Sequence, residues 1–215
     1  MSSTQQRAAL PPCLLALSPG TLVAGDGRGA EQLVQRVRAA VAGGLEGVLL
    51  REPELPDAEL LALALTLTRR FEDLWVGLHD RPHLALASGA RGVHLGRRSL
   101  TPQEVRSWLA PQIAIGLSTH ADDDPTSWDA ADYLFHGPVH PTPKPYPVQP
   151  IGLAGLASAV GRTDVPIWAL GGLGPAEAPA VIEAGARGVA VLSGLLPAPD
   201  PQTAAASYAA ALAGR

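Results

Sequence analysis

Short, continuously apolar runs recur along the chain at intervals of about 20 to 30 residues, the length of one strand-plus-helix unit. Eight of them read as strands: Leu14–Leu17, Gly47–Leu50, Trp75–Leu78, Gly92–Leu95, Ile113–Leu117, Tyr133–Gly137, Pro166–Leu170 and Gly188–Leu192. Most do not alternate apolar with polar, as expected of parallel strands covered on both faces. Between them the period changes to that of helices. Leu33, Val34, Val37 and Val41 form one stripe, with Glu31, Arg36 and Arg38 turned away from it. Asp57 is placed to cap a second helix running through Leu60, Leu61, Ala64 and Leu67 to Phe71. Thr101-Pro102 followed by Glu104 opens another, and Pro175–Ala184 and Thr203–Leu212 supply the last two. Helix after strand, around eight strands, predicts an α/β fold of the single (β/α)₈ TIM-barrel type over residues 1–215. An open doubly wound sheet is the structural alternative. The Pro-rich stretch 141–150 falls between two such units and reads as a long loop after strand six rather than a linker.

Composition narrows the class. An apolar fraction of 47% over 215 residues suits one well-cored globular domain, built from aliphatic residues because only 4% are aromatic. The net charge of −4 is spread along the chain, and Lys/Arg clustering stops at pairs such as Arg69-Arg70 and Arg97-Arg98. Nucleic acid is therefore not an expected partner. No segment approaches the ~20 apolar residues that span a bilayer. The single cysteine, Cys13, leaves no internal disulfide and fits a reducing compartment, so a cytoplasmic location is expected.

In a parallel barrel the chemistry sits on the loops after the strands, and polar residues gather there. The second strand ends in Arg51-Glu52, the third in His79-Asp80-Arg81 and the fourth in Gly96-Arg97-Arg98-Ser99. The fifth ends in Ser118-Thr119-His120, and the sixth runs through His136 and His140 to Thr142 and Lys144. Gly171-Gly172 and Ser193-Gly194 follow the last two strands. Glycine there lets backbone N–H groups approach an anion closely, which makes these four residues phosphate-binding candidates. Turn glycines of no further role are the plainer reading of the same pattern.

The motifs LLRE (Leu49–Glu52), HDR (His79–Arg81), GVHLG (Gly92–Gly96), DYLFHGPVHPT (Asp132–Thr142), ALGGL (Ala169–Leu173) and GARGVAVLSG (Gly185–Gly194) occur in one order across almost the whole chain. In that order and spacing the chain resembles the superfamily of thiamine phosphate synthases and TenI-like thiazole tautomerases. For a synthase, the resemblance implies two aspartates holding Mg²⁺ against a pyrophosphate, a lysine after the RE pair, and a Thr-Pro-Thr-Lys loop gripping the anion. Asp80 matches the first aspartate. Ser99 stands where the second would be, Pro53 where the lysine would be, and the loop reads Thr142-Pro143-Lys144-Pro145. The GRRS stretch is instead similar to the tautomerase branch, although that branch's acid/base histidine falls here on Pro138.

These departures favour a tautomerase-like isomerase acting on a small phosphorylated heterocycle, a thiazole phosphate, with no cofactor. In that reading His140 or His136, two residues either side of Pro138 and nominally on its face, moves the proton. His79, His94 and His120 are second-rank candidates. Arg51 would pair with a substrate carboxylate, and Asp80, Ser118, Thr142 and Lys144 would complete the substrate contacts. Thiamine phosphate synthase, with Mg²⁺ and Asp80 as a ligand, is the alternative; on this reading Ser99 and Pro53 predict weak synthase turnover. A non-catalytic ligand-binding relative is the third possibility. A homodimer is implied by the resemblance alone.

Overall fold

The computed structural model describes residues 8–142 and 148–214, so Lys144 lies outside the described residues. Eight parallel strands close into a barrel in chain order: β1 (Leu14–Leu17), β2 (Gly47–Leu50), β3 (Trp75–His79), β4 (Gly92–Leu95), β5 (Ala114–Thr119), β6 (Tyr133–His136), β7 (Ile167–Leu170) and β8 (Gly188–Val191). The barrel shuts where β1 pairs with β8, Leu14 opposite Val189 and Ala16 opposite Val191. The open-sheet alternative is thereby excluded. Among the described residues seven α-helices surround it: α1 (Gly27–Ala42), α2 (Asp57–Arg70), α3 (Ala85–Ser88), α4 (Pro102–Arg106), α5 (Gly152–Val160), α6 (Ala178–Glu183) and α7 (Pro201–Ala213). Among the described residues no helix is long and apolar enough to cross a membrane.

Side chains alternate along each strand, so every strand feeds two cores. The outward set, including Val48, Leu50, Val76, Leu78, Val93 and Ile115, packs under the helices. The inward set is aromatic at its centre: Trp75, Tyr133, Phe135 and Trp168 meet inside the barrel with Leu15, Leu17 and Leu49. Glycines on neighbouring strands make room for these rings. A Cβ on Gly92 would collide with the Trp75 ring, one on Gly116 with the Tyr133 ring, and one on Gly188 would lie 2.6 Å from Trp168 Nε1. The two indoles are also satisfied at the barrel floor, where Trp75 Nε1 donates to the Ala9 carbonyl and Trp168 Nε1 to that of Pro12. The floor is thus plugged, and the C-terminal mouth is the open end.

Three local expectations need correcting. Asp57 is the first residue inside α2, whose N-cap is Pro56 with no side-chain cap; the Asp57 carboxylate instead accepts from Arg81 Nε at 2.9 Å and pairs with His83 Nε2 at 2.7 Å. A carboxylate with two cationic or ring N–H partners across a loop gains more from them than from its own helix end. The β5–β6 crossover holds a three-residue 3₁₀ turn, Pro125–Ser127, in place of an α-helix. The last strand but one starts at Ile167 rather than Pro166, since proline has no N–H for the ladder. The Thr101 prediction holds in full: its hydroxyl accepts from Glu104 N while the Glu104 carboxylate reaches back to Thr101 N.

Candidate functional site at the barrel mouth

Strand parity decides what faces the mouth. On β2, Leu49 points inward, so Arg51 continues that row while Glu52 turns outward. Glu52 is buried, and its two oxygens accept the N–H groups of Gly20 (3.0 Å) and Leu22 (2.8 Å). It therefore holds the β1–α1 loop, leaving Arg51 as the half-buried member of the pair. Among the described residues no carboxylate lies within 4 Å of the Arg51 guanidinium, which packs beside Gly20. Ser18, at the end of β1 and fully buried, accepts the Arg51 N–H at 2.8 Å. Sequence reasoning passed over it, although its place at a strand end was a usable signal.

On β3 to β5 the inward row contains His79, His94 and Ser118. His94 is buried, stacked on Phe135 with ring centroids 3.8 Å apart, and hydrogen-bonded through Nε2 to Ser118 Oγ at 2.9 Å. Burial, with His79 nearby, holds its pKa well below the ordinary value, so the ring is neutral. His79 is also lowered, chiefly by burial. Asp80 opposes that shift, while Arg51 and Arg81 add to it. His79 Nδ1 lies 3.2 Å from Asp80 Oδ2.

Asp80 adopts a φ of +53°, a left-handed conformation that Asp tolerates better than most residues. Its Oδ1 accepts from both Gly96 N (3.0 Å) and Ser99 Oγ. Neither Arg81 nor Arg51 is its partner: the Arg81 Nε–H goes to Asp57. Beside this cluster opens a cavity of about 500 Å³, lined by Asp80, Ser99, Arg98, His83, Leu95 and Trp108 among others. Ser99 and Asp80 thus meet, as their alignment implies, but as a hydrogen-bonded pair rather than two carboxylates.

That arrangement does not fit a divalent ion held by protein ligands. A hard cation asks for several oxygens, at best anionic ones. Both lone pairs of Asp80 Oδ1 are taken, Oδ2 faces His79, and Ser99 contributes no charge. Among the described residues no three His, Cys, Asp or Glu side chains gather to hold a metal.

The glycine loops lie on the opposite side of the mouth. Gly171 and Gly172 have φ of +99° and +64°, and Gly172 sits under the β6–α5 loop, where an added Cβ would come within 2.8 Å of His140 Cβ and 2.9 Å of the Pro141 carbonyl. Among the described residues no acceptor takes the N–H groups of Gly172, Ser193 or Gly194. Ser193 and Gly194 are exposed, on the loop leaving β8. Thr142 follows on the loop that covers Gly172.

The histidines of strand six are not where the shared-face argument puts them. Tyr133 and Phe135 are the inward residues of β6, so His136 points outward. There it is buried, bonded through Nδ1 to Thr119 Oγ1 at 2.8 Å, with the Trp128 ring at 5.6 Å. Desolvation is the main reason its pKa falls to about 4; His120 and Arg162 push the same way against Asp123. The strand ends at His136, and alternation does not carry past it to His140, whose N–H donates to the Gly171 carbonyl at 3.1 Å. His140 borders the glycine loop, and His136 is outside the mouth.

Comparison with known proteins settles the class. Residues 21–195 match the family model described as thiamine monophosphate synthase. Thiamine-phosphate synthase of Thermus thermophilus is 40% identical over 184 residues, covering 81% of this chain and 86% of that protein. Thiamine-phosphate synthase of Mycobacterium tuberculosis is 37% identical over 199 residues, covering 84% and 88%. The structure of thiamine phosphate pyrophosphorylase from Pyrococcus furiosus superposes with a TM-score of 0.78 at 28% identity, covering 93% of this chain and 95% of that one. These relatives overturn the isomerase reading: two are named synthases and the third a pyrophosphorylase, and the proton-transfer roles given to His140 and His136 belonged to that reading. The tautomerase reading rested on GRRS and on the departures at Pro53, Ser99 and the loop 142–145, whereas the likeness to the synthases runs along the chain. This chain belongs to the thiamine monophosphate synthase family.

Proposed function

We propose that this protein is a thiamine-phosphate synthase, joining a pyrimidine diphosphate to a thiazole phosphate with release of pyrophosphate. The observation that carries the reading is the likeness, over four-fifths of the chain, to proteins named for that product. The geometry of the mouth supports it. Two anionic groups need two cradles, and the mouth offers two. The amides of Gly172, Ser193 and Gly194, unpartnered among the described residues, suit a phosphate monoester. Arg51, at the end of β2, has no carboxylate partner among those residues and is suited to bidentate contact with a phosphate oxygen pair.

In the reaction the bond to the diphosphate breaks with its electron pair on the departing oxygen, and the thiazole nitrogen's lone pair makes the new bond. The chain's work is to hold the two substrates in line and to stabilise charge on the leaving group. Ser118, held by the neutral His94, offers a fixed hydroxyl on the floor of the mouth for a ring nitrogen or amino group. Thr142, beside the loop that covers Gly172, is a candidate for contact with the anions, and the sequence offers Lys144 two residues on as a further one. Relatives of this name make Mg²⁺ an option for supplying charge at the diphosphate; the Asp80–Ser99 pair does not provide its ligands, and no step is assigned to it.

The test is formation of thiamine phosphate from the two substrates, followed by oxidation to the fluorescent thiochrome, with and without Mg²⁺. Product from the wild-type protein, reduced on the order of tenfold or more in Arg51→Gln, is expected. No product under conditions where the Thermus relative turns over would overturn the proposal.

A further inference from the structure

The Asp80–Ser99 pair and the cavity beside it point to an anion site built on arginine where a metal clamp would need a second carboxylate. Asp80 Oδ1 accepts from Ser99 Oγ and Gly96 N, and Oδ2 lies 3.2 Å from His79 Nδ1. Seating a cation on Oδ1 would displace Ser99 and strip a hydrogen bond from the Gly96 N–H, leaving polar groups unsatisfied at a half-buried position. At the same loop the sequence places two guanidinium groups. Arg97 is engaged, 3.4 Å from Asp122 and 3.7 Å from Asp123 across the β5 loop. Arg98 is not: among the described residues no carboxylate lies within 4 Å of it, and it lines the cavity with Asp80 and Ser99. The exposed Arg98 guanidinium, with no carboxylate partner among the described residues, is left free on the cavity wall to meet a phosphate or diphosphate oxygen.

We infer that Arg98 binds the anionic diphosphate here directly, and that the protein's own side chains hold no divalent cation. The inference rests on the synthase reading for the identity of the anion. Its test reads binding alone, so it fails or stands independently of turnover. Mn²⁺ is titrated against the protein by electron paramagnetic resonance, and inorganic pyrophosphate by calorimetry, in EDTA and again with Mg²⁺.

Wild-type protein is expected to bind no stoichiometric Mn²⁺. It should bind pyrophosphate in EDTA with an affinity that Mg²⁺ changes by less than about tenfold. Arg98→Gln should weaken that binding on the order of tenfold, and Arg98→Lys by less, since a charge-assisted contact is lost in the first and partly kept in the second. Ser99→Asp should gain a Mn²⁺ signal, because it restores a second carboxylate beside Asp80. Stoichiometric Mn²⁺ on the wild type, pyrophosphate binding that requires Mg²⁺, or unchanged affinity in Arg98→Gln would each overturn the inference. If Ser99→Asp does not fold, the wild-type titrations and the arginine variants decide it.

Discussion

His136 illustrates how a buried group ties stability to pH. Its ring is neutral in the fold, with a pKa of about 4 against an ordinary 6.5. The unfolded chain therefore binds more protons between those values, and stability falls as pH drops from 6.5 to 4, flattening below. The loss is on the order of 3 kcal/mol from this residue, and His94, shifted the same way, adds to it. Urea midpoints across that window should fall steeply in the wild type and less so in His136→Gln; equal slopes would remove His136 as the cause. Gly172 is a second case. Its left-handed φ and the loop 2.8–2.9 Å from its missing Cβ mean that a side chain there disturbs the fold as well as the anion site. Gly172→Ala should cost more than about 1 kcal/mol in stability. Gly194, where the nearest atom is the Tyr208 hydroxyl at 2.9 Å, is the cleaner probe of phosphate binding.

At the scale of elements, the loops after β1 and β2 are joined through one carboxylate. Glu52 takes two backbone N–H groups of the β1–α1 loop and is itself buried. Glu52→Ala strands both donors, at about 1–3 kcal/mol each where water cannot replace them. Chemical denaturation should register the loss, and the Arg51-dependent pyrophosphate affinity should fall with it, because Ser18 and Arg51 share that junction. The capping box on α4 is more modest. Thr101→Ala should cost about 1 kcal/mol, readable as a shift in the denaturation midpoint without a change in slope.

At the scale of the molecule, the plugged interior confines function to one end. The aromatic rings of Trp75, Tyr133 and Trp168 fill the space that glycines on adjacent strands leave. Gly116→Val would drive methyl groups into the Tyr133 ring and against His94, whose Nδ1 lies 2.5 Å from the Cβ position. Overpacking of this kind typically costs about 1–3 kcal/mol. Calorimetric unfolding should show a lowered midpoint; an unchanged one would mean the interior is looser than its contacts imply.

What the sequence determined by itself was the frame. Continuous apolar runs could be stable only as doubly covered parallel strands, and their count and spacing closed the barrel, placing Arg51, Asp80, Ser118 and the glycine pairs at its mouth. Those are consequences of period and strand-end position, which are local. The facing of His136 was not: its face was argued from alternation about Pro138, but the register of β6 against β5 and β7 sets Tyr133 and Phe135 inward. Nor could the sequence say that Ser99 would close on Asp80, or that Arg97 would be consumed by Asp122 while Arg98 kept no carboxylate among the described residues. Such pairings join residues on different strands and loops, and only the closed barrel brings them within hydrogen-bonding distance.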